Sequence, residues 1–345
     1  MTSYCSDPAS LPRSPPAGSF GRMRARSVLL AVTTILLLGP ALVLTTARLI
    51  EPDGTLWVQA VAFTPVALVP YALLLGVLLV PLVRRRGRSV PLVLAAVLAV
   101  AGLLLHGWWF SPQVLGANPP AASGAEPLTA MTANLTKGEG DGIGLVQAAS
   151  AARVDVLVVA EITPTVLARM QQAGLDDLFP YRAGRPEEGV SGTMVFARVP
   201  LRKPTRLPTV HGSWAVTMGD LRLFAVHPSS PVDVAAWRRD HAAIRAAIGR
   251  SRPDLVVGDF NATPDHAPMR ALADAGYRSV AELANEGWQP TWPANGGFRV
   301  LGVPLPRSAP IDHVVVGERL AAIRSGTVYL AGTDHRALVA DVARK

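Results

Sequence analysis

Hydrophobic and polar positions divide the chain into two parts with different patterns. Three long uncharged runs, residues 27–47, 56–83 and 89–110, dominate the first part. About 20 consecutive apolar residues span a bilayer as a helix, so each run predicts a transmembrane helix. Pro65 and Pro70 predict kinks in the second run. A signal peptide would account for the first run alone, but the two further runs favour a multi-pass protein.

Short apolar strands alternate with helix-like segments in the second part of the chain. The apolar run 154–160 predicts a buried strand, and Gly219-Asp220 between two short strands predicts a hairpin. This mixture predicts an α/β (α+β) layered sandwich rather than a doubly wound parallel sheet. The predicted strands are residues 128–135, 154–160, 193–197, 214–218, 221–226, 255–257, 311–316, 327–330 and 337–342. The predicted helices are residues 144–153, 164–172, 232–248 and 267–275.

The chain therefore divides into four predicted segments. Residues 1–21 are rich in Pro, Ser and Gly, and residues 1–26 are expected to be a disordered cytoplasmic N-terminus. Residues 27–110 hold the three transmembrane helices, and the proline-rich residues 111–127 are expected to act as a linker. Residues 128–345 are long enough for one domain with a sizeable core. The single cysteine, Cys5, excludes an intramolecular disulfide, and its place before the apolar runs argues against a lipoprotein anchor.

Basic residues are concentrated beside the apolar runs. Residues 1–126 carry nine Lys/Arg and four Asp/Glu, whereas residues 127–345 carry 24 and 21, so most of the net charge of +8 lies near the membrane part. The near-neutral second part therefore does not predict a polyanion-binding surface. Arginine-rich loops stay in the cytoplasm, and an odd number of spans then places everything after Phe110 outside the cell. The arginines that set this orientation are Arg22, Arg24, Arg26, Arg84, Arg85, Arg86 and Arg88.

Polar residues recur where the predicted strands end. Sites in layered α/β folds are built at strand ends along one edge of a sheet, so we expect these side chains to converge. Each has a simpler explanation by itself: an Asx turn for Asp259 and Asn261, an acid at a helix N-terminus for Glu161, or a core histidine for His227. Asp312 or Asp334 alone would be explained as turn residues. The polar strand-end residues are Asn134, Glu161, His227, Asp259, Asn261, Asp312, His313, Asp334 and His335.

Seven short motifs follow one another over residues 128–343. They are Thr132-Ala133-Asn134, Ala160-Glu161, Ser191-Gly192-Thr193, Val226-His227, Gly258-Asp259-Phe260-Asn261, Ile311-Asp312-His313 and Thr333-Asp334-His335-Arg336. In this order they resemble the motifs of the endonuclease/exonuclease/phosphatase superfamily. The resemblance implies the fold of that family, a four-layered sandwich of two packed mixed sheets, here preceded by three transmembrane helices. With those helices the chain is similar to actinobacterial membrane proteins associated with vancomycin/teicoplanin resistance.

The resemblance also implies a metal site. Glu161 matches the main metal ligand of the family, with Asn134 and Asp334 near the metal. Oxygen ligands suit Mg²⁺, with Mn²⁺ as the alternative ion. Thr136 stands where some members have an acid, which argues against a second metal contact.

The catalytic roles follow from the same motifs. Asp259 matches the residue that positions or deprotonates the attacking water, and Asn261 matches the residue that holds a phosphate oxygen. Asp312 matches the carboxylate that orients His335, which serves either as a cation on the phosphate or as a general base. His227 falls where the family has a residue that touches the phosphate.

We therefore predict a membrane-tethered Mg²⁺-dependent phosphoesterase with an extracytoplasmic catalytic domain. Its substrate would be a phosphodiester or a phosphate or pyrophosphate ester, and a lipid-linked substrate of the cell envelope is the first candidate. An extracellular nuclease and a catalytically inactive sensor on the same fold are the alternatives, and no protein partner is predicted. We expect His211, His241, His266 and His313 to be structural or on the surface. Trp288 and Trp292 could stack on a substrate, face lipid or pack in the core.

Overall fold

The structure is a computed structural model that describes residues 18–84, 89–116, 118–300, 302–304 and 306–345. Arg85, Arg86 and Arg88, on which the predicted orientation partly rests, lie outside the described residues, and so do residues 1–17 of the N-terminal segment.

The described N-terminal part holds the predicted membrane helices. Its segments Ser27–Ile50, Thr64–Arg84 and Val90–Phe110 are long and apolar enough to cross a membrane. The first helix begins at Gly18, so residues 18–26 are helical where their composition predicts disorder. The helices of this part are α1 (Gly18–Ile50), α2 (Thr55–Val61), α3 (Leu68–Arg84) and α4 (Val90–Phe110), with a 3-10 helix at Thr64–Ala67 before α3.

The second apolar run does not form one kinked helix. Residues 55–61 form the separate helix α2, and the membrane-length segment begins only at Thr64. Pro65 lies in the first turn of the 3-10 helix. Proline at such a position lacks an N–H that would be unpaired anyway, so it starts a new helix rather than bending an existing one.

The apolar helices pack closely around a small polar cluster. The Tyr71 ring lies so close to Gly102 that a Cβ on that glycine would be 2.4 Å from it. Thr45 Oγ1 lies 2.8 Å from the Tyr71 hydroxyl and 2.9 Å from His106 Nε2. His106 Nδ1 lies 2.9 Å from the Thr64 carbonyl oxygen. These hydrogen bonds satisfy polar groups that would be costly in an apolar environment.

Residues 111–345 contain short helices and two large sheets. The helices are α5 (Pro112–Leu115), α6 (Gly142–Ala151), α7 (Pro164–Gln172), α8 (Leu175–Leu178), α9 (Val234–Ser251), α10 (Ala267–Asp274) and α11 (Val280–Leu283). The strands are β1 (Leu128–Asn134), β2 (Val156–Ala160), β3 (Tyr181–Arg185), β4 (Thr193–Ala197), β5 (Leu201–Arg206), β6 (Trp214–Met218), β7 (Leu221–Val226), β8 (Leu255–Asp259), β9 (Arg278–Ser279), β10 (Arg299–Val300), β11 (Val303–Pro304), β12 (Asp312–Val316), β13 (Leu320–Val328) and β14 (Ala337–Arg344).

Each large sheet is built around one parallel pair of strands. One sheet has the order β13-β14-β1-β2-β4-β3, and the other has the order β5-β6-β7-β8-β12-β9. The β1–β2 and β7–β8 pairs are parallel. Helix α6 joins the first pair and α9 joins the second, because parallel neighbours need a crossover connection. The two C-terminal ends of each pair therefore lie side by side at one end of its sheet.

The two sheets pack face to face and carry helices on their outer faces. Val158, Val195, Leu223 and Val257 belong to the fully buried apolar layer between the sheets. A second apolar cluster packs α6 and α7 against the first sheet, and a third packs α9 and α10 against the other. This helix-sheet-sheet-helix arrangement confirms the predicted four-layered sandwich of two mixed sheets.

The strands that the sequence does not predict lie at sheet edges. β3, β5, β9, β10 and β11 are missing from the prediction, and β13 is predicted only from residue 327 although it begins at Leu320. β10 and β11 form a separate two-stranded sheet, and the other four are edge strands of the large sheets. Edge strands carry polar residues that discourage pairing with other chains, so they lack the apolar run by which a buried strand is found.

The predicted linker 111–127 lies against the domain at several points. The Gln113 carbonyl accepts a hydrogen bond from Gly287 N at 2.9 Å, and the Gly116 carbonyl accepts one from Asn285 Nδ2 at 3.1 Å. Further along, Ala122 N donates to the Arg344 carbonyl at 2.8 Å. These contacts hold the segment on the domain surface.

Gly258 is required by the close approach of β7 and β8. Its φ is 150°, and a Cβ at this position would lie 2.0 Å from the Val226 carbonyl oxygen on the neighbouring strand. We expect Gly258→Ala to lower the free energy of unfolding by roughly 2 kcal/mol or more. The measurement is the thermal unfolding midpoint of the purified full-length protein.

The matched control for this change is Gly326→Ala in β13, where an added Cβ meets nothing within 4 Å. Its unfolding midpoint is expected to stay close to that of the wild type. Equal midpoints for both variants would show that the glycine of the Gly-Asp-Phe-Asn motif is not a steric requirement.

Candidate active site

The C-terminal ends of the two parallel pairs meet at one cavity of about 430 Å³. Asn134 ends β1 and Glu161 follows β2 in one sheet, whereas His227 follows β7 and Asp259 ends β8 in the other. The face-to-face packing of the sheets brings the two pairs of strand ends together. The predicted site residues that line the cavity are Glu161, His227, Asp259, Asn261, Asp334 and His335.

Asn134 links the two sheets through its side-chain amide. Its Nδ2 donates to Glu161 Oε1 and to Asp259 Oδ2, each at 3.0 Å. Its Oδ1 accepts from Thr136 N at 2.8 Å. The side chain is buried, so it holds the carboxylate of Glu161 in place and does not present its own oxygen to the cavity.

The turn after β1 holds both predicted metal-binding carboxylates. Lys137 N donates to Glu161 Oε2 at 2.8 Å, and Thr136 Oγ1 donates to Asp334 Oδ1 at 2.5 Å. Trp292 Nε1 donates to Asp334 Oδ2 at 3.0 Å. Two consecutive residues of one turn therefore anchor Glu161 and Asp334, and both residues line the cavity.

A buried histidine lies among three carboxylates. Asp259 and Asp312 are register partners on the antiparallel strands β8 and β12, and each is 1% exposed. His335 Nδ1 donates to Asp312 Oδ2 at 2.8 Å. His335 Nε2 lies 3.8 Å from Asp259 Oδ2 and 3.9 Å from Asp334 Oδ1. The imidazole is therefore held by Asp312 on one side and faces Asp259 and Asp334 on the other.

These neighbours shift the protonation equilibria of the site. Burial and the charge of Asp312 raise the pKa of Asp259 to about 7. Burial opposes a charge on His335, but the carboxylates of Asp312 and Asp259 outweigh it and raise the pKa of His335 to about 10. Burial likewise opposes ionisation of Asp334, yet His335 and the hydrogen bonds from Thr136 and Trp292 lower its pKa. At neutral pH His335 is therefore a cation.

His227 differs from His335 because no carboxylate of the described residues lies within hydrogen-bonding distance of it. Burial lowers the pKa of His227 to about 3, with a smaller contribution from His211 and His335. Its Nε2 lies 3.8 Å from Glu161 Oε1, and its ring stacks on His211 with centroids 4.9 Å apart. Its Nδ1 has no hydrogen-bond partner among the described residues. His227 is therefore neutral at pH 7 and contributes no positive charge of its own.

The Gly-Asp-Phe-Asn motif forms an Asx turn and a site at the same time. Asn261 N donates to Asp259 Oδ1 at 2.7 Å, and Asn261 has a φ of 48°. This turn directs the Asn261 side chain into the cavity, where one amide hydrogen is bonded to the Pro228 carbonyl at 3.0 Å. Trp237 Nε1 fixes the turn by donating to the Asn261 carbonyl at 3.0 Å. The turn interpretation of Asp259 and Asn261 is thus correct, and it places both side chains for chemistry.

Two donor sets could hold a divalent cation. Asp259, Asp312 and His335 offer ligand atoms within 4.8 Å of one another. His335 in this set already donates to Asp312 and carries a proton on both nitrogens, so it would have to lose a proton before it could bind a metal. Glu161 and Asp334 are better placed, because their carboxylates are anchored by neutral donors and face the cavity. Hard oxygen donors of this kind fit Mg²⁺ or Mn²⁺.

Several site residues have no distinctive sequence signal. Thr136 appears in the sequence only as a departure from an acidic position, yet it bonds to Asp334. Trp292 also holds Asp334, and His211 lines the cavity beside His227. These roles depend on how the loops fold back onto the strand ends.

The other predicted structural histidines are buried and bonded to backbone. His241 Nε2 lies 3.0 Å from the Phe260 carbonyl, and His313 Nε2 lies 2.9 Å from the Ala262 carbonyl. Both hydrogen bonds fix the position of the loop that follows β8. The expectation that they are structural agrees with these contacts.

Comparison with known proteins finds a matching family profile and solved structures with a similar fold. A profile of the Endonuclease/Exonuclease/phosphatase family matches residues 131–335. No curated protein gives a significant match. A family member from Bacteroides thetaiotaomicron is similar at 14% identity with a TM-score of 0.50, covering 64% of this chain and 99% of that one. TDP2 of D. rerio in complex with a single-strand DNA product is similar at 16% identity with a TM-score of 0.51, covering 63% and 99%. At these identities the structural likeness shows the fold alone.

The raised pKa of His335 gives a pH-dependent prediction. Its folded-state pKa of about 10 exceeds the ordinary 6.5, so the stabilisation it gains from the carboxylates is complete below pH 6.5 and is lost as the pH rises through about 10. In the metal-free full-length protein at pH 8, we expect ¹⁵N-histidine NMR to show His335 protonated on both ring nitrogens.

His227 in the wild type and His335 in one variant serve as controls for this measurement. His227 should be neutral in the same spectrum, and Asp312→Asn should lower the pKa of His335 by removing its bonded carboxylate. A His335 that is neutral at pH 8 in the wild type would contradict the assignment and would favour a general base.

Proposed function

The chain belongs to the endonuclease/exonuclease/phosphatase family, and from that premise we propose that it is a membrane-tethered, metal-dependent phosphoesterase. Members of this family are hydrolases that act on phosphoester bonds. The observation that carries the proposal is the convergence of four strand ends from two sheets on one cavity. Glu161, Asp259, Asp334 and His335 line this cavity, and His335 is bonded to the buried Asp312 behind it.

Glu161 and Asp334 are the residues that would hold the metal, with Mg²⁺ as the proposed ion and Mn²⁺ as its substitute. When bound, such a cation polarises a phosphoryl oxygen and neutralises the charge that develops on the leaving oxygen. Asn134 supports this arrangement, since its amide holds Glu161 at 3.0 Å.

Asp259 and Asn261 are placed to handle the water and the phosphate. A water between Asp259 and the phosphorus attacks the phosphorus, its proton passes to the Asp259 carboxylate, and the bond from phosphorus to the leaving oxygen breaks. A pKa of about 7 suits Asp259 to accept that proton near neutral pH. The free amide hydrogen of Asn261 donates to a phosphate oxygen.

His335 acts in this proposal as a cation on the phosphate rather than as the base. Asp312 holds its Nδ1 and leaves Nε2 facing the cavity. In this proposal an imidazolium there attracts the negative phosphate and donates a proton to the leaving oxygen as its bond to phosphorus breaks. Asp259 Oδ2 lies 3.8 Å from His335 Nε2. The proton that Asp259 takes from water therefore has only a short distance to travel to His335, which regains the proton it gave to the leaving oxygen. His227 adds a neutral donor on the same wall.

The proposed location is the cell membrane, with the catalytic domain outside. Arg48 at the end of α1 pairs with Asp265 at 2.6 Å, and Phe110 at the end of α4 lies 5.9 Å from Trp288 between ring centroids. Both helix ends therefore lie against the catalytic domain, as an odd number of spans requires. The arginines that flank the opposite ends support a cytoplasmic position for those ends.

A lipid-linked phosphoester or pyrophosphate of the cell envelope is the proposed substrate class. A tethered domain meets head groups of its own membrane at high effective concentration. This location also supports the proposed kinship with membrane proteins of vancomycin/teicoplanin resistance. A nucleic acid is the alternative substrate, and its recognition would require a basic groove.

The catalytic assignment predicts the loss of activity in two variants. The full-length protein in detergent with Mg²⁺ should hydrolyse p-nitrophenyl phosphate esters, and EDTA should abolish hydrolysis. Glu161→Gln removes the proposed metal carboxylate and His335→Ala removes the cation, so each should lower kcat/KM by about 100-fold or more. Intact cells should hydrolyse a membrane-impermeant ester of the same kind.

The matched control is Glu318→Gln, an exposed carboxylate in the turn after β12 that does not line the cavity. It should retain wild-type activity. Full activity in Glu161→Gln and His335→Ala would contradict the site assignment, and activity only after cell lysis would contradict the proposed orientation.

A further inference from the structure

The active-site cavity is not formed by the catalytic domain alone. Gln59, Ala62 and Phe63 also line it, and these residues belong to the segment between the first and second membrane-length helices. The second of those helices begins at Thr64, directly after Phe63. One wall of the cavity is therefore continuous with the membrane part of the chain.

This wall is built into the core of the catalytic domain. Val58 of α2 is 4% exposed and belongs to the same apolar cluster as Trp237 and Phe260. Its carbonyl oxygen lies 2.9 Å from His266 Nε2, and His266 also lines the cavity. The segment is thus held by packing and by a buried hydrogen bond, and its position relative to the site is fixed.

Two ion pairs hold the chain at the end of α1, just before this segment. Arg48 Nε lies 2.6 Å from Asp265 Oδ1, and Glu51 Oε1 lies 2.6 Å from Arg270 Nη2. Both acidic and basic partners are at least partly buried, so these contacts are screened less than surface pairs. Together they hold the chain that leads into α2 against the catalytic domain.

The cavity has a polar floor and apolar upper walls. The carboxylates and histidines lie at the strand ends, whereas Phe63, Val190 and Ile311 line the sides. Val232 and Phe298 line it as well and are 73% and 42% exposed. Large apolar side chains left exposed around a site indicate an apolar ligand or surface.

The charge of the lining also distinguishes between substrate classes. Among the described residues that line the cavity, Lys137 is the one lysine or arginine. A nucleic-acid site would need several cations to follow a chain of phosphates. A single phosphate group on an apolar chain needs only the polar floor and the apolar walls.

We propose that the segment from Gln59 to Phe63 forms a wall for the apolar chain of the substrate. The phosphoester would lie on the polar floor, and its hydrocarbon chain would leave the cavity along Phe63 towards the membrane. Phe63 is then a specificity-determining residue that contacts the hydrocarbon chain and not the phosphate. This inference rests on the proposed phosphoesterase function and adds to it the residue that would contact the apolar chain of a lipid-linked substrate.

The test compares substrates that differ only in their chain. Full-length protein in detergent micelles is assayed with two pairs of substrates. One pair is the diesters hexadecyl and methyl p-nitrophenyl phosphate, and the other is the monoesters hexadecyl and methyl phosphate; the hexadecyl esters are kept at a constant micellar mole fraction. In whichever pair the enzyme hydrolyses, Phe63→Ala should lower kcat/KM for the hexadecyl ester by about tenfold, equivalent to ~1.4 kcal/mol of lost chain contact. The methyl member should change by less than about twofold.

Two further variants control for indirect effects. Leu56→Ala truncates an apolar residue of α2, the helix just before Phe63; Leu56 is 82% exposed and does not line the cavity, so this variant should behave as the wild type. Phe63→Leu should restore most of the preference for the long chain. Turnover of the methyl ester in every variant reports that the polar floor is intact.

The outcomes separate this inference from the function on which it rests. Equal effects of Phe63→Ala on both chain lengths, or no effect on either, would overturn the proposed wall and leave the phosphoesterase proposal standing. A wild type that hydrolyses the methyl but not the hexadecyl member would do the same. A wild type that hydrolyses no ester with Mg²⁺ would overturn the proposed function and the inference together.

Discussion

The pairing of two buried carboxylates, Asp259 and Asp312, is the constraint on which the site depends. They lie opposite each other on β8 and β12 and are almost inaccessible to solvent. Two negative charges in this position are unfavourable unless cations lie beside them. His335 supplies one cation through its bond to Asp312, and the amide of Asn134 solvates Asp259. The raised pKa values of Asp259 and His335 are both consequences of this arrangement.

The fold meets this constraint by joining two similar halves. Each sheet contributes one parallel pair of strands, and the C-terminal ends of the two pairs meet across the apolar layer between the sheets. Neither sheet alone carries a complete site, since Glu161 comes from one and Asp259 from the other. The N-terminal part with its three apolar helices then adds a third contribution, because Phe63 lines one side of the cavity. The cavity and these helices are thereby held in a fixed relation.

The sequence predicts the buried strands and the polar residues at their ends. It does not predict edge strands, the start of a new helix or the contacts made by loop residues. Central strands such as β4 and β8 have continuous apolar runs, so their positions and the polar residues at their ends are predictable. Edge strands such as β5 have no such run. The break of the second apolar run at Pro65 is also hidden, because composition does not distinguish a kink from the start of a new helix. The role of Thr136 depends on a turn with positive φ, which no local pattern specifies.

Binding of Mn²⁺ to the full-length protein, followed by electron paramagnetic resonance, tests the central claim most directly. We predict one bound ion per chain, loss of that ion in Glu161→Gln, and its retention in Glu318→Gln. Unchanged binding in Glu161→Gln together with loss in Asp312→Asn would contradict the account, because it would place the ion among Asp259, Asp312 and His335 instead of at Glu161 and Asp334.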